Sequence, residues 1–596
     1  MAGFLLLHRD AMVRQDEAVA ALQRATGGSL RNLRKASWSI WLASHRLPDA
    51  MPWLDGENGS GLAIVGTCVV AGLSRKDGRH WILDELNAGR NPSRRLRGAF
   101  ILLHWQPDRL VLLRDSLGVA PIFSMGDGTV WSSSLLALVE GSPDRLRLDA
   151  GALLQQVALG YPLSPRTLFH GLRQPRSTEV IQKNDLILHA AEPAPMPEAP
   201  SSHASRRDHI DWQLKQLRSY FDDLAPYARE CQPNVGVSGG YDSRLLLLLL
   251  REAGITPTLH TLVKSRSNPD YIAAKALAQA LGYPLMEHAV PAFSDMDEAE
   301  AAALATANVA FYDGRPIILM DLFNPEYSAS YRSALLGEQR LSISGVGGEI
   351  FRNFNYTRIR GCGALPNWIG YHLVDARLLA SIPHSRKRER MLGFLAAELR
   401  CRLDLPHGAK ADLDLARRHL GNVWLSDWHG HRNSAENRLA GYLSPFADEL
   451  IVNAAWRSRH QLGVNGEFEA GMITVLDPKI AALVSSYGHA LDQIPFRVLL
   501  RSGLRVWAPN RLKLCLALAR TRRSAEPKLR SVERTALDRL QGLRLPFDLN
   551  IALVQGDQRA LLLSLGWLLD RLGHRLDTSD QDGAIEELLR AYPQID

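Results

Sequence analysis

The stretch that decides the fold is Val235-Gly-Val-Ser-Gly-Gly-Tyr-Asp-Ser-Arg244, which runs straight into the six leucines Leu245–Leu250. An apolar strand enters a glycine-rich turn, and the turn opens onto a buried helix. Such a turn aims backbone N–H groups and the positive end of a helix dipole at one small volume, where an anion such as pyrophosphate can sit. Gly239 and Gly240 carry no Cβ and permit close backbone approach. Ser238 and Ser243 add hydroxyl donors, and Asp242 is an acceptor-only carboxylate where a Mg²⁺ ligand is wanted beside a phosphate. The spacing is neither G-x-G-x-x-G nor G-x-x-x-x-G-K-[ST], so dinucleotide and Walker sites fit poorly. The plainer alternative is a Ser/Gly turn that only caps a buried helix.

The chain has 596 residues, 46% of them hydrophobic, enough for two or three domains with real cores. A net charge of +7 over that length is mildly basic and no nucleic-acid signature. The clusters Arg386–Arg390 and Arg520–Arg523 read as solvated helix faces. Cys68, Cys231, Cys362, Cys401 and Cys515 form no C-x-x-C pair or Cys/His zinc spacing, and their odd number suits no disulfide framework. Met1–His8 is apolar without a basic leader, and Leu245–Leu250 is too short to span a bilayer. The expectation is a soluble, cytoplasmic protein with no nucleic-acid and no membrane partner.

Residues 1–190 read as mostly β, with apolar runs at Gly61–Gly72, Gly98–Trp105 and Leu110–Arg114, as in an antiparallel sandwich. The proline-rich stretch Ala190–Ser202 marks a linker over 191–206. A helical pattern from about Arg207 to Arg229 leads into the Val235 strand. Strand and helix then alternate: Pro257–Val263, the helix Pro269–Leu281, Leu285–Val290, and Arg340–Ile343 ending in a second glycine loop. Alternation of this kind predicts a parallel sheet with ligands at the carboxyl ends of its strands. After about residue 370 the pattern reads as helical through to Asp596. The domain reading is 1–190, 207–520, and a helical C-terminal extension over 521–596.

The first loop resembles the PP-loop of the ATP pyrophosphatases. Other stretches resemble the asparagine synthetase family, in the right order over about residues 1–500. Leu96-Arg-Gly-Ala-Phe100 with Leu112-Leu-Arg-Asp-Ser-Leu-Gly-Val-Ala-Pro-Ile-Phe123 is similar to the signature of its amidotransferase domain, and Gly160–Leu172 to the segment closing that domain. Ser344-Gly-Val-Gly-Gly-Glu-Ile-Phe351 is similar to its second nucleotide loop, and Gly441–Asp448 more distantly to its R-x-P-F-L-D segment. The resemblance implies an α/β protein: an N-terminal class II amidotransferase-like (N-terminal-nucleophile-type) αββα sandwich, then a parallel-sheet PP-loop ATP pyrophosphatase domain. It implies an enzyme that uses ATP and Mg²⁺ to adenylate a substrate carboxylate, which an amine then attacks to give an amide. Ser238, Gly239, Gly240 and Ser243 fall at the pyrophosphate cradle. Asp242 and Glu349 fall at the catalytic, Mg²⁺-ligating carboxylates, and Gly236, Ser344 and Gly345 where the family holds the adenosine. Asp270 opens the next helix, either as a ligand-facing carboxylate or as a plain helix N-terminal acid.

The departures matter as much. Glutamine-dependent members begin Met-Cys-Gly, whereas this chain begins Met1-Ala2-Gly3, and alanine offers no nucleophile. Glutaminase activity is expected to be absent. Val346 stands where many asparagine-forming members carry a proton-handling Glu, and Tyr241 and Arg244 depart from the commoner residues of the first loop. The family's pyrophosphate lysine has no match near Asn465–Glu469, with Arg457, Arg459 or His460 as candidate cations. Members without the terminal Cys include β-lactam synthetases and the macrolactam cyclases of lasso peptides, which join a carboxylate and an amine of one substrate. The leading expectation is such a ligase, acting on a small molecule or a precursor peptide, the latter with a leader protease as companion. The alternatives are an ammonia-using asparagine or sugar-carboxamide synthase, and a catalytically silent ATP-binding scaffold.

Overall fold

The computed structural model describes residues 1–47, 53–193, 198–358, 363–382, 384–521, 529–543, 554–578, 588 and 590. Part of the proline-rich linker, Cys362, and Arg522 and Arg523 of the second basic cluster lie outside them, as does much of the C-terminal extension. The protein is mixed α/β, with a pair of six-stranded sheets first and a parallel sheet after it.

Two six-stranded sheets build the N-terminal unit. The first is ordered Leu172–Arg173, Phe123–Met125, Val130–Ser132, Gly3–His8, Trp38–Ala43, Leu30–Lys35, antiparallel throughout. The second runs Ile181–Lys183, Leu186–His189, Leu110–Arg114, Phe100–Trp105, Gly61–Gly66, Trp53–Asp55. One of its pairs departs from the antiparallel expectation: Leu186–His189 lies parallel to Leu110–Arg114. Period-two alternation sends Phe4, Leu6, Trp38 and Ile40 from one sheet against Val65, Ile101, Leu103 and Leu112 from the other, in one core layer. The opposite faces are covered by helices. Gln15–Thr26 and Leu135–Gly141 pack outside the first sheet, and Arg75–Asn87 outside the second. The apolar runs of 1–190 leave these helical layers out, whereas the αββα sandwich implied by the resemblance includes them. The apolar start, Gly3–His8, is a central strand, buried along its whole length.

The parallel sheet is ordered Leu285–Ala289, Thr258–Val263, Asn234–Gly236, Leu341–Ile343, Gly441–Leu443. The chain builds outward in one direction from Asn234–Gly236, then returns to its other side, so the order reverses between Asn234–Gly236 and Leu341–Ile343. In open α/β sheets the crevice at such a reversal is where ligands bind. Local signals set the surrounding helices. Arg206–Cys231 starts with a Ser205/Asp208 capping box. Pro269–Leu281 has Asn268 accepting from the Asp270 N–H at one end and Gly282 in the left-handed region at the other.

The edge strand Gly441–Leu443 corrects the all-helical reading beyond residue 370. Three residues starting with glycine give no strand periodicity; pairing with Leu341–Ile343 creates the strand. The N-terminal unit reaches its end. Thr67 Oγ1 accepts from the Tyr442 N–H at 2.8 Å and donates to Asn437 Oδ1 at 2.8 Å, and the Gly98 N–H donates to Asp448 Oδ2 at 2.8 Å.

The largest core also crosses the whole chain. Leu5, Leu136 and Val157 share it with Trp368, Leu395 and, from the helix Gly556–Arg571, Leu562 and Leu568. Leu576–Asp577 then pairs parallel with Leu146–Arg147. No described helix is long and apolar enough to cross a membrane.

Candidate functional site

The strand Asn234–Gly236 ends at the glycine loop, and the helix Tyr241–Glu252 begins at once after it. Gly240 occupies the helix N-cap, and no side chain caps the first turn, so its backbone donors are not taken up by the usual Ser or Asp. Within the loop the Ser238 N–H donates to Ser243 Oγ at 3.1 Å, and the two hydroxyls lie 3.0 Å apart. Asp270, the acid in the first turn of its helix, also faces this loop, its Oδ1 accepting from the Gly239 N–H at 3.3 Å.

The second loop interlocks with the first. A Cβ placed on Gly348 would lie 2.1 Å from Asp242 Oδ1, and one on Gly345 would lie 3.2 Å from the Asp242 backbone. Only glycine allows this approach. Buried Arg417 braces the second loop from behind, donating to the carbonyls of Glu349 and Arg352.

Arg352 sits between the loops. Its Nη2 reaches both oxygens of Asp242 at 2.9 Å, its Nε lies 3.0 Å from Glu469 Oε2, and its Nη1 donates to Tyr487 Oη at 3.2 Å. Burial disfavours its charge, but Asp242, Glu469 and Glu349 together hold the guanidinium pKa well above its ordinary value. Burial, with Asp242 close by, pushes the carboxyls of Glu349 and Glu469 up, against the pull of Arg352. Glu349 also accepts the Gly347 N–H at 3.1 Å. Three acids therefore surround one cation.

Beside the loops, at the carboxyl ends of the central strands, lies a cavity of about 370 Å³. Gly236, Ser238 and Ser344 line it, joined by His260, Lys264 and Arg332. That volume is within the range of small-molecule sites. Lys264 Nζ is 3.0 Å from Glu326, and Arg332 is paired with Glu436 at 2.5 Å. Burial first, then Arg332 and His288, lowers the His260 pKa to about 3, so the imidazole is neutral. Its Nδ1 has no hydrogen-bond partner among the described residues.

The predicted site residues thus fall into two groups. Gly236, Ser238 and Ser344 face the cavity, while Asp242, Glu349 and Gly345 meet where the loops interlock, with Gly239, Gly240 and Ser243 in the turn between them. ATP fits this donor set: a cavity of suitable size, an uncapped helix N-terminus and cations on the wall. Mg²⁺ does not fit the arrangement as it stands, because Arg352 takes both oxygens of Asp242 and Glu349 is held by its own loop. No three His, Cys, Asp or Glu side chains among the described residues are gathered to hold a metal ion.

Two departures in the first loop acquire a role. Buried Arg244 donates to the carbonyls of Ile480, Leu483 and Val484 at 2.9, 2.8 and 3.0 Å, and the Ser486 N–H donates to Gly239 O at 3.1 Å. The segment 480–487 is thereby strapped against the loop. The Tyr241 ring lies under the Arg352 guanidinium, 5.4 Å from its centroid. Of the cations suggested in place of the missing lysine, Arg459 is bound to Asp414, and Arg459 and Arg457 both stack on Trp456. The cation at the loops is Arg352, just beyond the second motif. Neither it nor Glu469, Arg417 or His260 belongs to a recognisable spacing in the sequence.

At the other end of the chain, Ala2 is buried and its N–H donates to Ala43 O at 3.0 Å.

The glutamine amidotransferase domain family matches residues 83–189. Solved structures similar to this chain include glutamine phosphoribosylpyrophosphate amidotransferase from B. subtilis complexed with ADP and GMP, at 12% identity and a TM-score of 0.17, covering 48% of this chain and 65% of that one. Another is the allosteric regulatory enzyme of purine biosynthesis, at 11% identity and a TM-score of 0.19, covering 62% and 77%. The chain thus spans slightly under two thirds of the first of these. No curated protein matches it.

Proposed function

We propose that the protein is an ATP-dependent amide-forming ligase of the asparagine synthetase-like, PP-loop type, with no glutaminase activity of its own. One observation carries this reading: two glycine loops interlock across the sheet's reversal point and bring Asp242 and Glu349 together beside a nucleotide-sized cavity. In this reading ATP supplies the adenylyl group that activates a substrate carboxylate, departing as pyrophosphate and then AMP. The N–H groups of Tyr241 and Asp242, at the helix start that no side chain caps, and the Arg352 guanidinium stabilise the charge that develops on the pyrophosphate. Gly236 and Ser344 border the adenosine. Asp242 and Glu349 would hold Mg²⁺ only if Arg352 released Asp242, and no step is derived through the metal.

Ala2 provides no atom to attack glutamine, and Val346 no carboxylate for proton transfer. Both favour an amine already present on the substrate, as in lactam or macrolactam formation on a peptide or other natural product. ATP–pyrophosphate exchange with a panel of carboxylates and peptides tests the reading. Exchange should fall at least about 100-fold in Asp242→Asn, and neither glutamine nor ammonium should stimulate amide formation. Absence of exchange with ATP still bound would leave a catalytically silent ATP-binding scaffold; stimulation by ammonium would point to an ammonia-using synthase.

A further inference from the structure

The helix Phe496–Trp507 carries an apolar stripe on the wrong side. Phe496, Leu500, Leu504 and Trp507 recur at helical spacing and are 77%, 53%, 65% and 66% exposed. The face packed on the protein is a different one, formed by Val498, Leu499, Ser502 and Val506. The next helix, Asn510–Ala519, carries two more exposed leucines, Leu512 and Leu516. Large apolar residues exposed singly are ordinary, but a continuous row of them marks an interaction surface.

Charge identifies the occupant. Arg497, Arg501 and Arg505 form a second row beside the first, each one residue on from an apolar one, and all three are exposed. Arg511 and Arg520 follow, and no acidic residue occurs between Asp492 and Glu526. An exposed stripe of Phe, Leu and Trp bordered by an all-arginine stripe has the composition of a helix that lies in the plane of an anionic bilayer, rings among the acyl chains and guanidinium groups among the headgroup phosphates. An acidic protein surface would satisfy the arginines but would need its own matching apolar ridge. A bilayer satisfies both rows at once.

We infer that the face formed by Phe496–Trp507 and Asn510–Ala519 docks the protein peripherally on an anionic lipid surface. This departs from the expectation of no membrane partner, and it is independent of the ligase chemistry. The face touches the segment that follows the second loop: Arg358 stacks on Trp507 and Arg505 on Tyr356.

Flotation of the full chain with phosphatidylcholine vesicles containing roughly a third phosphatidylglycerol tests the inference. The protein should float with these vesicles, stay behind with pure phosphatidylcholine, and be released by salt. Leu500→Asp with Leu504→Asp should abolish flotation without lowering the melting temperature, since neither side chain packs in the core. Replacing Arg497, Arg501 and Arg505 by Gln should weaken partitioning on the order of 100-fold. Several results would overturn the inference: no flotation at low salt, flotation unchanged in either variant, or a dimer in solution that the Asp variant dissociates while vesicles are ignored. Binding of an acidic amphipathic Glu/Leu peptide in place of vesicles would likewise overturn it and assign the face to a protein.

Discussion

Arg352 Nη2 lies 2.9 Å from each carboxylate oxygen of Asp242, while Nε of the same guanidinium reaches the fully buried Glu469. The two glycine loops are thus cross-linked by an ion pair as well as by contact. Removing the cation strands the acids it serves. Arg352→Met is expected to lose about 3 kcal/mol of stability in urea denaturation, the usual cost of leaving buried charge unpaired. Adding Glu469→Gln should recover part of that loss. Equal stability of wild type and Arg352→Met would show that the pair holds nothing together.

Gly348→Ala probes the contact rather than the charge. Its methyl group would collide with Asp242 Oδ1, so the loops must part. Displacements of this size at a reacting centre cost about 100-fold in rate, and pyrophosphate exchange should fall accordingly while the far strands keep their hydrogen-exchange protection.

Arg244→Ser tests the strap. Three backbone carbonyls lose a charged donor, and hydrogen bonds to charged groups contribute roughly 1.5–3 kcal/mol. Amide exchange across 480–487 should quicken and the apparent affinity for ATP should drop. Unchanged exchange in that segment would remove the strap from the account.

His260 gives the pH dependence its sign. Its folded-state pKa, about 3, lies below the ordinary value of about 6.5. The unfolded chain therefore takes up a proton that the folded chain refuses. The stabilisation is complete above pH ~6.5 and is lost as the pH falls toward 3. Between pH 7 and 5 the wild type should lose about 2 kcal/mol more than His260→Asn, read from melting curves at each pH. Parallel curves would mean that the imidazole titrates normally.

Asp313 fastens the N-terminal unit to the rest of the chain. It accepts from Ser134 Oγ at 2.5 Å and from the Leu135 N–H at 2.7 Å, and lies 3.3 Å from Arg438. Asp313→Ala should cost about 3–5 kcal/mol, because Arg438 is left buried with an unpaired charge. Calorimetry of the two proteins decides it.

The strand–loop–helix at Val235–Leu250, the alternation after it and the second loop were legible because each is local: glycines, small polar residues and apolar runs at short spacing. Pro269–Leu281 is legible to the residue, since Asn268, Pro269 and Gly282 all punctuate it. Gly441–Leu443 was not legible, because only its neighbour makes it a strand. Arg352 and Glu469 were not legible for a related reason. Their meaning lies in a meeting across 110 or more residues of chain, and a buried Arg–Glu pair leaves no pattern in the sequence around either partner.

The closing of the Leu146–Arg147 edge by Leu576–Asp577 bears on how the molecule is made. Arg575 donates to Val139 O across a separation of 436 residues, and the helix Gly556–Arg571 covers apolar side chains of the first unit. During synthesis that surface emerges long before its cover does. The first unit must wait on the ribosome with part of its core bare, and loop closure over such a distance is slow. Translation of residues 556–577 is therefore the step that completes the first domain. A fragment ending near residue 520 should bind chaperones and aggregate, although it contains every residue of the candidate nucleotide site.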